Sequence, residues 1–351
     1  MKIVIITNEY PPKTGGAGVV AKRMYDDYSN AGHDAVIISP IAINDKKVNS
    51  IKLKVYKFFA LSYFGIDKIV NNINPDLLIV NDMPAIYSCS LFMSKNNIKK
   101  SKCFIHGSEP EVLFGDKNTM IITAVMYKYF YKLFLQQCKA SIFVSHFLKK
   151  KFNRIAGYLP ENSRVVNPTV DTGIFNTNKS ELNNPFLDNS ETLVLFSASR
   201  IIKEKGYADM LILFNELSQM HRLKWYIAGD GDYLNEFKEL VARSRYAKNV
   251  IFLGRQPHQK LVTYYQFCDI FWLLSNLKES FGLVYAEAQA CGAYCIGRSG
   301  SGIVESLDLD FCYLFESKKT FIYDFDKIKM LCKNKKHIHV HGNFTAGIGY
   351  D

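Results

Sequence analysis

The chain has 351 residues, 48% of them apolar and 14% aromatic, which is enough to bury one large core or two of ordinary domain size and excludes a disordered chain. It carries 44 Lys and Arg against 33 Asp and Glu, a net +11. No run of about 18 uncharged apolar residues occurs, and the opening MKIVIITNEYPP turns polar too soon for a signal peptide, so residence in the cytosol is expected.

The eight cysteines (89, 103, 138, 268, 291, 295, 312 and 332) are scattered without a C-x2-C pair and read as reduced, mostly buried thiols rather than disulfides or zinc ligands. The charge is uneven. Residues 1–185 hold 24 Lys and Arg against 14 Asp and Glu, a net +10, whereas residues 186–351 hold 20 against 19. A basic first half suits an anionic membrane, a polyanionic or lipid-phosphate partner, or nucleic acid; of these, peripheral contact at the inner face of a membrane is expected, and no nucleic acid.

In chain order, Lys2 to Thr7 is an apolar run ending in the loop Asn8 to Gly16, followed by a helix from Ala17 to Ala31. Gly15 and Gly16 let backbone approach a ligand at the helix start. The loop is not the G-x-G-x-x-G fingerprint, which argues against a dehydrogenase. Apolar runs at Ala35–Ser39, Leu77–Val80, Cys103–Ile105 and Ser141–Val144 alternate with helical stretches, the pattern of a parallel sheet covered on both faces. Each loop after a strand is then a candidate site position, including Asn81-Asp82 and His106-Gly107-Ser108-Glu109. Met120 to Phe152 interleaves aromatics with lysines, its first half reading as a long helix and its second ending in Lys149-Lys150-Lys151, either for core packing or for shallow membrane contact.

The polar run from Asn176 to Glu191, with Pro185 inside it, reads as a linker. A domain is expected over residues 1–180, a linker at 181–191, a second domain over 192–320 and a short tail over 321–351. The second domain opens again with a strand, Thr192 to Ser197, and the loop Ser199 to Gly206. There Arg200 and Lys205 flank a turn ending in Gly206 and suit two charged phosphates. Lys224–Gly231, Val250–Gly254 and Asp269–Leu274 supply further strands, the first running into Gly229-Asp230-Gly231.

Leu273 to Val304 then brings a polar loop with Glu279, a helix from about Phe281 to Ala290 with Glu287, and a strand at Ala293–Ile296. Two carboxylates eight residues apart flank a helix N-terminus, whose N–H groups attract phosphate; a bidentate carboxylate suits a vicinal diol. A ligand of diol, diphosphate and sugar in a row matches this order.

Glu279-Ser280-Phe281-Gly282-Leu283, with Glu287 at an E-x7-E spacing, Ala290, Gly292, and Ser299 to Glu305, resembles the donor site of retaining glycosyltransferases of family 4. Arg200 and Lys205-Gly206 match the R-x4-K-G pattern of that family, and Asn167, Val170, Asp171 and Phe175 match the segment that closes its first domain. Pro168-Thr169 departs from the usual glycine. The likeness runs over residues 1 to about 310 and implies two Rossmann-like, doubly wound parallel-sheet α/β domains facing across a cleft, the GT-B fold.

The resemblance further implies that Phe281, Gly282, Leu283, Arg200 and Lys205 hold the diphosphate and that Gly229 lines a nucleotide-side loop. Glu287 would hold the ribose, and Glu279 the sugar. Gly15 and Gly16 would face the donor phosphates and acceptor, with His106 near the transferred sugar. The implied activity is metal-independent retaining hexosyl transfer from a nucleotide-diphosphate sugar to a hydroxyl of a glycan or lipid-linked acceptor, in surface polysaccharide or glycoconjugate synthesis, without cofactor. A nucleotide-sugar epimerase of the same fold, or a non-catalytic nucleotide- or membrane-binding scaffold, remains the alternative. The scaffold is suggested by the shortened C-terminus, where only Phe321 to Lys333 reads as helical. Three D-x-D pairs (230/232, 308/310, 324/326) are read as structural, and His337, His339 and His341 as a polar tail without metal.

Overall fold

The computed structural model describes residues 1–11, 15–55, 59–115, 126–178, 184–186 and 191–333. The described residues divide into two compact units, the first ending at Pro168 and the second beginning at Thr169. Val170, Phe175 and Phe186 belong to the hydrophobic core of the second unit, and Gln266 Nε2 donates to the carbonyls of Asn176 and Asn178, so the segment after Pro168 is fastened to that unit. Of residues 181–191, where a linker is expected, 184–186 and 191 are described.

The first unit is built on a parallel sheet of β1 (Lys2–Ile6), β2 (Asp34–Ser39), β3 (Ser50–Lys52), β4 (Leu77–Val80), β5 (Ser101–Ile105), β6 (Ala140–Phe143) and β7 (Ser163–Val165), in the order 3-2-1-4-5-6-7. Its helices among the described residues are α1 (Gly16–Asn30), α2 (Ile66–Ile73), α3 (Met83–Phe92), α4 (Lys95–Lys100), α5 (Glu109–Phe114), α6 (Tyr127–Gln137) and α7 (His146–Ala156). Ile3 to Ile6 and Leu77 to Val80 are buried on both faces, which is why these strands read as continuous apolar runs rather than alternating ones. β3 and β7 escape the sequence reading because they are three-residue edge strands, SIK and SRV, with mixed exposure and no apolar run to mark them.

The second unit repeats the plan with β8 (Leu193–Ala198), β9 (Leu223–Ala228), β10 (Val250–Gly254), β11 (Ile270–Leu273), β12 (Tyr294–Arg298) and β13 (Cys312–Phe315), all parallel, in the order 10-9-8-11-12-13. Around them lie α8 (Tyr207–Leu217), α9 (Leu234–Ala242), α10 (His258–Phe267), α11 (Leu283–Ala290) and α12 (Lys318–Cys332). Trp225 and Trp272 meet edge to face at 5.0 Å, and buried Ser197 accepts from the Trp225 indole while donating to the Trp272 carbonyl. A core polar group is thereby satisfied twice and ties three adjacent strands.

The C-terminal helix α12 begins at a Ser317 cap and sinks Phe321, Phe325, Ile328 and Cys332 into the same core. His337, His339 and His341 lie outside the described residues. No helix among the described residues is long and apolar enough to cross a membrane.

In an open parallel sheet, two loops diverge at the strand ends where the winding reverses, and the crevice between them is the usual ligand position. Here that point lies between β1 and β4 in the first unit and between β8 and β11 in the second.

Candidate functional site

The loops after β8 and β11 carry Arg200, Lys205 and Glu279. Lys205 closes a 3-10 turn, Lys203–Lys205, and Gly206 follows it with φ +75°. A Cβ on Gly206 would lie 2.2 Å from the Leu274 carbonyl oxygen, so both its backbone angle and its neighbour demand glycine. The N–H groups of Asn276 and Leu277 donate to the Glu204 carbonyl at 2.8 and 3.1 Å. With the two loops joined in this way, Lys205 Nζ reaches Glu279 Oε1 at 2.5 Å, both side chains being largely covered. The Gly302 N–H, from the loop after β12, donates to the Glu279 carbonyl at 2.7 Å. Glu279 is thus fixed by backbone on one side and by an ammonium on the other.

Arg200 is exposed, and its side chain makes no hydrogen bond or ion pair among the described residues. Gly229 follows β9, donates to the Gly254 carbonyl, and lies against the Ser199 carbonyl. Helix α11 starts at Leu283, two residues later than the sequence suggests, because Gly282 takes φ +87° and Phe281 turns inward to 7% exposure. No side chain caps α11, so its first N–H groups point outward in the orientation that attracts an anion.

Glu287 lies on the buried side of α11 at 4% exposure. Its Oε1 accepts from His258 Nε2, at the start of α10, at 2.8 Å. Its Oε2 is buried without a hydrogen-bond partner among the described residues. An ionised carboxylate oxygen left so is costly unless a ligand completes it. His258 was not singled out in the sequence: a lone histidine after Gln256-Pro257 carries no motif, and it meets Glu287 only because α10 packs on α11.

The first unit holds a second polar cluster at its own switch point. Asp82, 3% exposed, caps α3 through the Ala85 N–H and accepts from Thr7 Oγ1, Asn8 N–H and Glu9 N–H. The carboxylate therefore bolts the loop after β1 to the loop after β4. Burial nonetheless raises its pKa to about 6, with these hydrogen bonds pulling the other way. Asn81 bonds Thr7 and the Ala17 carbonyl. His106 Nε2 lies 2.7 Å from the Asn81 carbonyl oxygen, and burial lowers the imidazole to about 4, so it is neutral near pH 7 and its Nε2–H donates.

Glu109 accepts from the His106 and Gly107 N–H groups. Gly15 precedes α1 and donates to Glu9 Oε2 at 2.9 Å; Gly16, the first residue of α1, is exposed.

The three D-x-D pairs have local tasks. Asp230 accepts from the Gly231 N–H, Asp308 caps the turn at Asp310, and Asp324 accepts from the Tyr313 hydroxyl. No group of three His, Cys, Asp or Glu among the described residues is placed to hold a metal.

Residues 178–336 match the family model Glycosyl transferases group 1, and residues 14–173 match Glycosyltransferase Family 4. The chain is 25% identical to N-acetyl-alpha-D-glucosaminyl L-malate synthase of Bacillus anthracis, over 87% of this chain and 81% of that one. It is 24% identical to alpha-monoglucosyldiacylglycerol synthase of Streptococcus pneumoniae, over 83% and 70%. Its fold resembles sucrose-phosphate synthase of Thermosynechococcus elongatus, with TM-score 0.75 and 15% identity over 95% and 92% of the two chains. It also resembles HepE of Anabaena in complex with UDP and glucose, with TM-score 0.71 and 19% identity over 95% and 93%.

Proposed function

The chain belongs to the group 1, family 4 glycosyltransferases of GT-B fold, and on that premise we propose that it moves a hexose-like sugar from a nucleotide-diphosphate donor to a hydroxyl of a glycan or lipid-linked acceptor with the anomeric configuration kept. The observation that carries this reading is the Lys205–Glu279 pair at the switch point of the second sheet. It sets a fixed cation and a fixed carboxylate side by side, in the order a diphosphate and a sugar hydroxyl need.

On this reading Lys205 and Arg200 neutralise the leaving diphosphate with the N–H groups at Phe281, Gly282 and Leu283. An ammonium has three protons to donate, so Lys205 can hold Glu279 and a phosphate oxygen together. Glu279 accepts from sugar hydroxyls and Glu287 from the ribose. His106 and the Gly15-Gly16 loop of the first unit are assigned to the sugar and acceptor side. With no protein nucleophile assigned, the glycosyl–phosphate bond breaks as the acceptor oxygen attacks from the same face, and a phosphate oxygen of the leaving group takes the acceptor proton. Charge neutralisation comes from protein cations and helix N–H groups, so no metal or cofactor is assigned.

A lipid-linked or anionic acceptor, with a role in surface polysaccharide or glycoconjugate synthesis and peripheral membrane contact, is supported by the basicity of the first half and by the lipid named in the pneumococcal relative. The test is thermal shift and turnover against a panel of nucleotide sugars, with and without chelator, for the wild type and Glu287→Ala. One donor should stabilise the protein regardless of chelator, and the variant should lose the effect. Product formed from donor alone would favour the epimerase, and binding without turnover for any acceptor would favour the scaffold.

A further inference from the structure

Glu287 is a carboxylate with two unlike oxygens. Oε1 is held at 2.8 Å by a side chain 45% exposed, His258, while Oε2 is buried and has no hydrogen-bond partner among the described residues. An ionised carboxylate only accepts, so the contact requires the proton on Nε2 of His258. The imidazole is itself oriented by Phe175, whose ring centroid lies 5.0 Å away and whose side chain is 3% exposed. Pro257 is the N-cap residue of α10, so His258 is the first helical residue, and its ring reaches Glu287 on α11.

We propose that His258 is a positioning residue for nucleotide recognition: by fixing Oε1 it sets the rotamer of Glu287 and presents Oε2 as the acceptor for a ribose hydroxyl. The inference rests on the assignment of Glu287 to the ribose and goes beyond it by naming what holds the carboxylate in place. Without His258 the carboxylate is free to rotate and to take up water, and the site keeps its charge but loses its aim. A merely structural His258 would affect folding or all ligands alike. A positioning His258 must affect ligands that carry the full diol more than those that do not.

The experiment uses the full-length chain and isothermal titration with UDP, ADP and GDP, taking the diphosphate that binds most tightly and comparing it with its 2′-deoxy and 3′-deoxy forms. In the wild type the ribose form should bind about tenfold or more tightly than the weaker-binding deoxy form, the scale of a hydrogen bond to a charged group. In His258→Ala that preference should collapse towards unity while the deoxy form binds nearly as before. His258→Gln, whose amide N–H falls near the position of Nε2, should restore most of the preference.

If His258→Ala keeps the preference while Glu287→Ala abolishes it, the assignment of Glu287 stands and the role of His258 is overturned. Should Glu287→Ala keep it too, the ribose assignment itself falls, and this inference with it. An equal loss of affinity for ribose and deoxy forms in His258→Ala, with a lowered unfolding midpoint, would make His258 structural and also overturn the proposal.

Discussion

Lys205 and Glu279, 74 residues apart in the chain, meet at 2.5 Å where the loops after β8 and β11 leave the second sheet in opposite directions. The contact is prepared by backbone: Glu204 accepts from Asn276 and Leu277, and Gly302 donates to Glu279. Because the pair is largely covered, it is screened less than a surface ion pair, and removing either member leaves the other poorly compensated.

Lys205→Met should therefore lower kcat by about a hundredfold, the cost typical of losing one electrostatic stabiliser of a developing charge, and change donor affinity much less. Steady-state turnover with donor affinity measured by titration checks this. Equal losses in both would make Lys205 a binding group only.

Glu279→Gln keeps the shape of the side chain and removes its charge. It should weaken a nucleotide sugar more than the corresponding free nucleoside diphosphate, because the carboxylate is assigned to the sugar. Competition titration with the two ligands reads the difference, and equal weakening would contradict the assignment.

Gly206→Ala tests the loop contact rather than the chemistry. The new Cβ would meet the Leu274 carbonyl at 2.2 Å on a backbone at φ +75°, so the loops after β8 and β11 must part. A loss on the order of 2 kcal/mol or more is expected from strain and broken packing. The unfolding midpoint should fall and activity with it; an unchanged midpoint would show that the two loops are not joined through this glycine.

The strands and the helix around Glu287 were legible because a two-sided parallel sheet writes apolar runs into the sequence, and because Arg200 to Gly206 and Glu279 to Glu287 are local spacings. His258 and Glu287 are 29 residues apart, and Thr7 and Asp82 75 apart. Those contacts depend on which helices pack and on β1 lying beside β4, an adjacency no local pattern encodes. The short edge strands β3 and β7 were missed for a different reason, since a strand covered on few sides needs few apolar residues.

The first unit should show opposing pH terms. His106 is lowered from 6.5 to about 4, so between those values the unfolded chain binds the proton and acid destabilises the fold. Asp82 is raised from 3.8 to about 6, so there the folded chain binds the proton and acid stabilises it, and the raised Glu109 acts in the same direction. His106→Gln removes the first term: on going from pH 6.5 to 4 its unfolding midpoint should shift in the stabilising direction relative to the wild type. Asp82→Asn removes part of the second and should shift the midpoint in the destabilising direction relative to the wild type over the same range. Parallel curves for all three proteins would mean that neither group titrates in this window.

The basic first half makes a last, separable prediction. On α6, Tyr131, Phe134 and Leu135 are buried, which accounts for the core-packing part of the aromatic run, while Tyr129 is 55% exposed with Lys128 beside it. The ammonium groups of Lys128 and Lys132 lie over the rings of Phe114 and Tyr158, 5.3 and 4.4 Å from the centroids, so each charge is partly engaged by an aromatic face. On α7, Lys150 is exposed, whereas Lys151 is buried in an ion pair with Glu111. Only some of the cations in this stretch are therefore available to a surface. Each available lysine near an anionic bilayer contributes about 1 kcal/mol, decaying within a Debye length. The protein should sediment with vesicles of anionic phospholipid at low salt, not with neutral vesicles, and release as salt rises. Lys128→Glu with Lys150→Glu should weaken this about a hundredfold, while Lys151→Glu should instead lower the unfolding midpoint by setting a second carboxylate against Glu111. Sedimentation that ignores lipid charge, or that survives the double substitution, would remove the membrane from the proposed function and leave the transfer reaction as it stands.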